Sequence, residues 1–129
     1  MKKKTILMVD DDMDLRGQMK FFLESSGYEV LEAGGESEAI EYINKNNYDL
    51  AVIDLMMENQ DSGFVLSHKI KKLDNSKPVI IVTGVTKETG IHFGIKTLEE
   101  RSWIKADEFI QKDLRFEQLK GAIDKLIGD

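Results

Sequence analysis

Cysteine is absent from the 129 residues, which excludes disulfides and thiolate metal sites and fits a reducing compartment. Proline occurs once, as Pro78 at the start of an apolar run, where a missing ladder donor is tolerated. Long hydrophobic runs are also missing. Thr5–Val9 follows Lys2, Lys3 and Lys4 but is far too short for a signal-peptide core or a membrane span. Basic charge is in deficit, 18 residues against 24 acidic ones, and the net charge of -6 disfavours nonspecific binding to a phosphate backbone. These absences predict a soluble, cytoplasmic chain without membrane insertion or direct nucleic-acid recognition. No repeat, linker or low-complexity stretch divides it, so residues 1–129 are expected to form a single domain with no further output domain.

What is present is organised around Leu50, Ala51, Val52 and Ile53, four apolar residues bounded by Asp49 and Asp54. Such a run predicts a short strand buried on both faces, as in the middle of a parallel sheet. Asp54 then falls at its C-terminal end, on the rim where ligands of open α/β folds bind. A similar run, Ile6, Leu7, Met8 and Val9, ends in Asp10, Asp11 and Asp12. Behind it, Leu15, Met19, Phe22 and Leu23 recur at helical spacing, with Gly27 as the expected cap. A strand over 28–31, a turn at Gly34 and Gly35, and a helix carrying Ala39, Ile40 and Ile43 to about Asn46 come next.

After the central strand, Leu66, Ile70 and Leu73 mark the inward side of a third helix, with Lys69, Lys71 and Lys72 as its solvated face. Val79, Ile80, Ile81 and Val82 form a strand closed by Thr83 and Gly84, and Phe109 and Ile110 a weaker one ending near Lys112. Between them, residues 85–106 are poorly patterned, apart from a capping box at Thr97 and Glu100 before a short helix with Trp103 and Ile104. Phe116, Leu119, Ile123 and Leu126 predict an amphipathic final helix. Strands alternating with helices, over connections too long for hairpins, imply crossover units and a parallel sheet covered on both faces.

The polar residues at the strand ends therefore share one rim: Asp10, Asp11 and Asp12, then Asp54, Thr83 and Lys112. Clustered carboxylates repel, and such a group commonly holds a cation. His68 reads as a solvated helix residue and His92 as a loop residue, so the ligands are hard oxygens and the metal they suit is Mg2+. A lysine and a hydroxyl facing that metal supply what phosphoryl transfer needs, and a carboxylate oxygen can be the nucleophile.

With these residues in place, the chain resembles the receiver domain of bacterial two-component response regulators, from Ile6-Leu7-Met8-Val9-Asp10-Asp11 through Val52-Ile53-Asp54 and Val79-Ile80-Ile81-Val82-Thr83-Gly84 to Lys112. The resemblance implies a flavodoxin-like, doubly wound α/β fold of five parallel strands in the order 2-1-3-4-5, an order given for a chemotaxis receiver. It implies that Asp54 is the phosphoacceptor, Asp11 a direct Mg2+ ligand, Asp10 an assisting one and the Met56 carbonyl a third. Thr83 would hydrogen-bond the phosphoryl group and Lys112 pair with it, while Thr83 and Phe109 would form the switch. The phosphoryl donor would be a histidine kinase or a histidine phosphotransfer protein, and the signal a conformational change read by a downstream protein of unknown identity. The chain would catalyse only its own aspartyl phosphorylation and dephosphorylation. Met56 and Val85 stand where side chains influence hydrolytic water; neither orients it, which implies slow self-dephosphorylation.

Departures from the family pattern are specific. Asp113 follows Lys112 where proline in a cis peptide is usual, one extra residue separates Asp54 from Gly63, Phe109 has no hydroxyl, and the interval from Thr83 to Lys112 is long. They keep open a degenerate receiver that binds partners without phosphorylation. A small phosphohydrolase with an Asp-x-Asp opening is a further alternative, against which Asp14 and the chain length count. An EF-hand reading fails, because its sixth and twelfth positions would be Leu15 and Phe21.

Overall fold

The computed structural model describes residues 3–54, 62–83, 85–86, 91–92, 106–111 and 116–128. The first half alternates strictly: β1 (Thr5–Val9), α1 (Met13–Ser25), β2 (Glu29–Ala33), α2 (Glu36–Lys45) and β3 (Leu50–Asp54). The second half continues with α3 (Ser62–Leu73), β4 (Val79–Thr83), β5 (Val85–Thr86), β6 (Ile91–His92), β7 (Glu108–Gln111) and α4 (Phe116–Ile127). Five of these strands form a parallel sheet in the order β2-β1-β3-β4-β7. This is the doubly wound order expected, with β7 as its fifth strand. β5 and β6 form a two-residue antiparallel ladder, so His92 lies in a short strand and not in a loop, and not every connection is a crossover. The expected helix around Trp103 lies outside the described residues.

Side chains alternate along each central strand and so build two cores. Ala51 and Ile53 of β3, with Leu7 and Val9 of β1, pack against Ala39 and Ile43 of α2 and Leu66 and Ile70 of α3. Leu50 and Val52, with Ile6 and Met8, pack against Met19 and Leu23 of α1 and Leu119 and Ile123 of α4. Both faces of the sheet are therefore covered. This is why the central strands read as unbroken apolar runs.

Local chemistry ends the elements where the site needs them to end. Asp12 caps α1, its carboxylate accepting the Leu15 N–H at 3.1 Å, and Asp14 stands in the positive first turn. At the other end Gly27 takes φ +103°, and the Tyr28 and Gly27 N–H groups donate to the Leu23 and Glu24 carbonyls, both at 3.1 Å. Glycine adopts that left-handed turn without strain, closing α1 in a Schellman motif. Asn46, at φ 52°, closes α2 in the same region of backbone space.

Two expectations for α3 are corrected. Leu73 is 56% exposed, although Leu66 and Ile70 of the same helix are buried; it is the last residue of α3. Lys71 is not solvated: its side chain keeps 12% of its accessibility and its ammonium meets the Asp107 carboxylate at 2.7 Å. The same carboxylate accepts the Val79 N–H at 2.8 Å, so Asp107 fastens the start of β4 to α3. At the start of β3, the Lys77 ammonium donates to the Tyr48 carbonyl at 2.5 Å and lies 4.7 Å from its ring centroid. Burial, and then the Asp74 charge, push the Tyr48 hydroxyl up to about 12.

α4 is tied to β2 through Asp124, which accepts from the Tyr28 hydroxyl and from Lys120. The Lys120 hydrogen bond first, and then that of Tyr28, hold Asp124 below the usual carboxylate range. A carboxylate depressed in the folded state adds stability that is present above its unfolded pKa of about 3.9 and is lost as pH falls through the folded value. Asp124→Asn should therefore flatten the acid limb of a stability–pH profile and leave neutral-pH cooperativity intact. In urea titrations at neutral pH, Leu66→Ala should cost about 2–5 kcal/mol, whereas Leu73→Ala should stay within about 0.5 kcal/mol. Equal costs would show that α3 is turned differently.

Candidate functional site

The registers of the sheet assemble the site. Val9 of β1 lies opposite Ile53 of β3, so the next residue of each strand, Asp10 and Asp54, leaves the sheet at the same level. Asp54 in turn lies opposite Val82 of β4, and Thr83 opposite Gln111 of β7. Asp10, Asp54 and Thr83 therefore share the C-terminal rim, as expected. Residue 112 follows Gln111 directly, but Lys112, Asp113 and Met56 lie outside the described residues. Phe109 lies opposite Ile81, inside the ladder.

Asp10, Asp11 and Asp54 each offer a carboxylate oxygen within 4.8 Å of the others. The rim position does not leave Asp54 exposed: it retains 1% of its accessibility and Asp10 2%, whereas Asp11 is exposed. Asp54 is a strand residue whose flanks are filled by β1 and β4, which is why the rim position does not bring exposure. Of the three, Asp11 is the carboxylate open to solvent.

Magnesium fits this donor set. Its oxygen ligands lie at about 2.1 Å, so two oxygens on one ion are about 3–4 Å apart, and the three carboxylates offer oxygens that all lie within 4.8 Å of one another. Without nitrogen or sulfur donors in the group, softer metals gain nothing from it. A divalent cation would convert the mutual repulsion of three carboxylates into coordination.

The turn that carries two of these ligands is held by its own backbone. The Asp10 N–H donates to the Ala33 carbonyl at 3.1 Å, extending the β1–β2 ladder by one residue. The Asp10 carboxylate accepts the Asp12 N–H at 2.8 Å, an Asx turn that leads into the Asp12 cap of α1. Sequence reasoning missed one participant. Arg16 donates from Nη1 to the Asp10 carbonyl at 2.6 Å and from Nε to Glu32 at 3.1 Å, and Lys20 also reaches Glu32, at 3.4 Å. The available signal was an arginine one helical turn past the Asp12 cap, facing an acidic residue on the neighbouring strand.

Magnesium should raise the midpoint of thermal unfolding of the native chain. At a concentration one hundred times the dissociation constant the gain is about 2.7 kcal/mol. Chelation should remove it, and Asp11→Asn should abolish most of it, because Asp11 is the carboxylate open to solvent. An unchanged midpoint in saturating Mg2+ would exclude a metal site here.

Comparison with known proteins gives consistent relatives. The profile of the response regulator receiver domain matches residues 6–124. The response regulator GtcR of Aneurinibacillus migulanus is 37% identical over 111 residues, 84% of this chain and 41% of that protein. A CheY-like response regulator receiver domain protein of Methanospirillum hungatei is 29% identical, with a TM-score of 0.79 over 97% of this chain and 94% of that one. The response regulator TrrA of Thermotoga maritima, solved in complex with Mg(2+)-BeF, is 28% identical, with a TM-score of 0.78 over 96% of this chain and 99% of that one. The chain spans about half the length of the curated relatives it matches, between 41% and 50%. Among the described residues no helix is long and apolar enough to cross a membrane.

Proposed function

The chain belongs to the response regulator receiver domain family of two-component signalling, and from that premise we propose that it takes a phosphoryl group onto Asp54 and passes the signal on by a change of conformation. The observation that carries this reading is the convergence of Asp10, Asp11 and Asp54 on the rim. A carboxylate oxygen of Asp54 attacks the phosphorus of a phosphohistidine, in a histidine kinase or a histidine phosphotransfer protein. The new O–P bond forms as the P–N bond breaks, and the electron pair of that bond leaves with the imidazole nitrogen.

Asp10, Asp11 and Asp54, with the Met56 carbonyl, are the groups that would hold Mg2+, which when bound neutralises charge on the transferring phosphoryl group. The Mg(2+)-BeF complex of TrrA supports such a site. Thr83 donates a hydrogen bond to a phosphoryl oxygen and Lys112 pairs with another, meeting charge where it develops. Burial of Asp54 limits water at the acyl phosphate, in keeping with slow hydrolysis.

Signalling requires the phosphoryl group to favour one of two conformations, which a downstream protein then binds with different affinity. Thr83, drawn toward the phosphoryl group, is the element of that switch nearest the site, and Phe109 couples to it through packing of its ring. One feature favours a second reading, partner binding without phosphorylation: Asp113 follows Lys112 where proline in a cis peptide is usual in the family.

Intact-protein mass after incubation with Mg2+ and acetyl phosphate separates the two. The native chain should gain one phosphoryl group, Asp54→Asn none while remaining folded, and the modified species should decay over minutes or longer. No gain in a folded, Mg2+-binding chain would leave the phosphorylation-independent reading. A half-life of seconds would overturn slow hydrolysis alone.

A further inference from the structure

Among the described residues, no hydrogen bond of Arg16 reaches the carboxylates of Asp10, Asp11 or Asp54, yet it grips the turn that carries two of them. Its guanidinium spans from the Asp10 main-chain carbonyl, at 2.6 Å, to the Glu32 carboxylate on β2, at 3.1 Å. Only 15% of its side chain is accessible. The Asp10 N–H is already held by the Ala33 carbonyl at 3.1 Å, so with Arg16 in place both polar groups of the Asp10 peptide backbone are taken. The chain direction through Asp10 is thereby set, and with it the directions in which the Asp10 and Asp11 side chains leave it.

The β2–α2 connection is shaped around the same guanidinium. A Cβ at Gly34 would stand 3.2 Å from Arg16 Nη1 and 3.3 Å from a Glu38 carboxylate oxygen, closer than an undisturbed neighbour allows. Glycine at this position leaves room for the guanidinium, and the planar fork of arginine reaches two acceptors at once where an ammonium offers a point charge.

We propose that Arg16 is the positioning residue of the magnesium site, acting through the Asp10 carbonyl and not through its charge. The inference rests on the metal reading of Asp10, Asp11 and Asp54. Charge and position make opposite predictions, which is what renders it testable. Removing a cation from the neighbourhood of a cation site strengthens metal binding by Coulomb's law, whereas removing the support of a ligand weakens it, commonly by about 10–100-fold.

The test is titration of the native chain with Mg2+ alone, followed by calorimetry, beside Arg16→Met, Arg16→Lys and Gly34→Ala, with urea unfolding of each. Positioning predicts that Arg16→Met binds Mg2+ at least about tenfold more weakly. Arg16→Lys, which keeps the charge without the two-pronged grip, should fall with it. Gly34→Ala, which retains Arg16 but displaces it, should show a smaller loss in the same direction and remains informative if both Arg16 variants fail to fold. Unchanged or tighter binding in Arg16→Met, or full recovery in Arg16→Lys, overturns the proposal while the metal reading stands, as would native affinity in Gly34→Ala if that variant alone folds. Absence of Mg2+ binding by the native chain overturns both.

Discussion

Like charges repel most where water cannot screen them, and Asp10 and Asp54 stand almost without solvent contact, each within 4.8 Å of the other and of Asp11. The β1–β3 ladder brings them to one rim, because pairing Val9 with Ile53 brings the residue that follows each out at the same level. Slipping that ladder by one residue would turn every side chain of β3 to the opposite face and set Leu50 and Val52 in the wrong core. The register that brings the carboxylates to one rim is thus set by apolar layers on both sides of the sheet.

From that constraint the functional reading follows in steps. The ladder makes a carboxylate cluster, the cluster suits a hard cation, and a cation beside a nucleophilic carboxylate suits phosphoryl transfer. Membership of the receiver family is established independently, by a match over residues 6–124. The turn after β1 carries several duties within a few residues: Asp10 contributes to the cluster, its carboxylate takes the Asp12 N–H, Asp12 caps α1, and Arg16 returns from α1 to the Asp10 carbonyl. Local capping and site geometry are therefore coupled through the backbone of one turn.

Much of this was legible in the residues. Unbroken apolar runs at 6–9, 50–53 and 79–82 marked the strands buried on both faces, and 3.6-residue spacing marked α1 and α4. Misreadings had physical causes. Leu73 keeps the helical period of Leu66 and Ile70, but the period says nothing about where the helix ends. Lys71 looks like its neighbours Lys69 and Lys72 until Asp107, distant in the chain, is folded beside it. His92 stands in a segment without periodicity, and its pairing with Val85 is a two-residue ladder too short to leave a pattern.

By itself the sequence determined the class of the fold and the chemical types at its rim, because burial on two faces, helical period and carboxylates at strand ends are local properties that any single run of residues displays. Only the tertiary structure decided that Asp54 is enclosed, that three carboxylates converge within 4.8 Å and that Arg16 bridges the Asp10 carbonyl and Glu32. These are distances between residues far apart in the chain, set by strand register and by the packing of α1 against β2. No local pattern encodes them, since register and packing minimise the energy of the whole core at once.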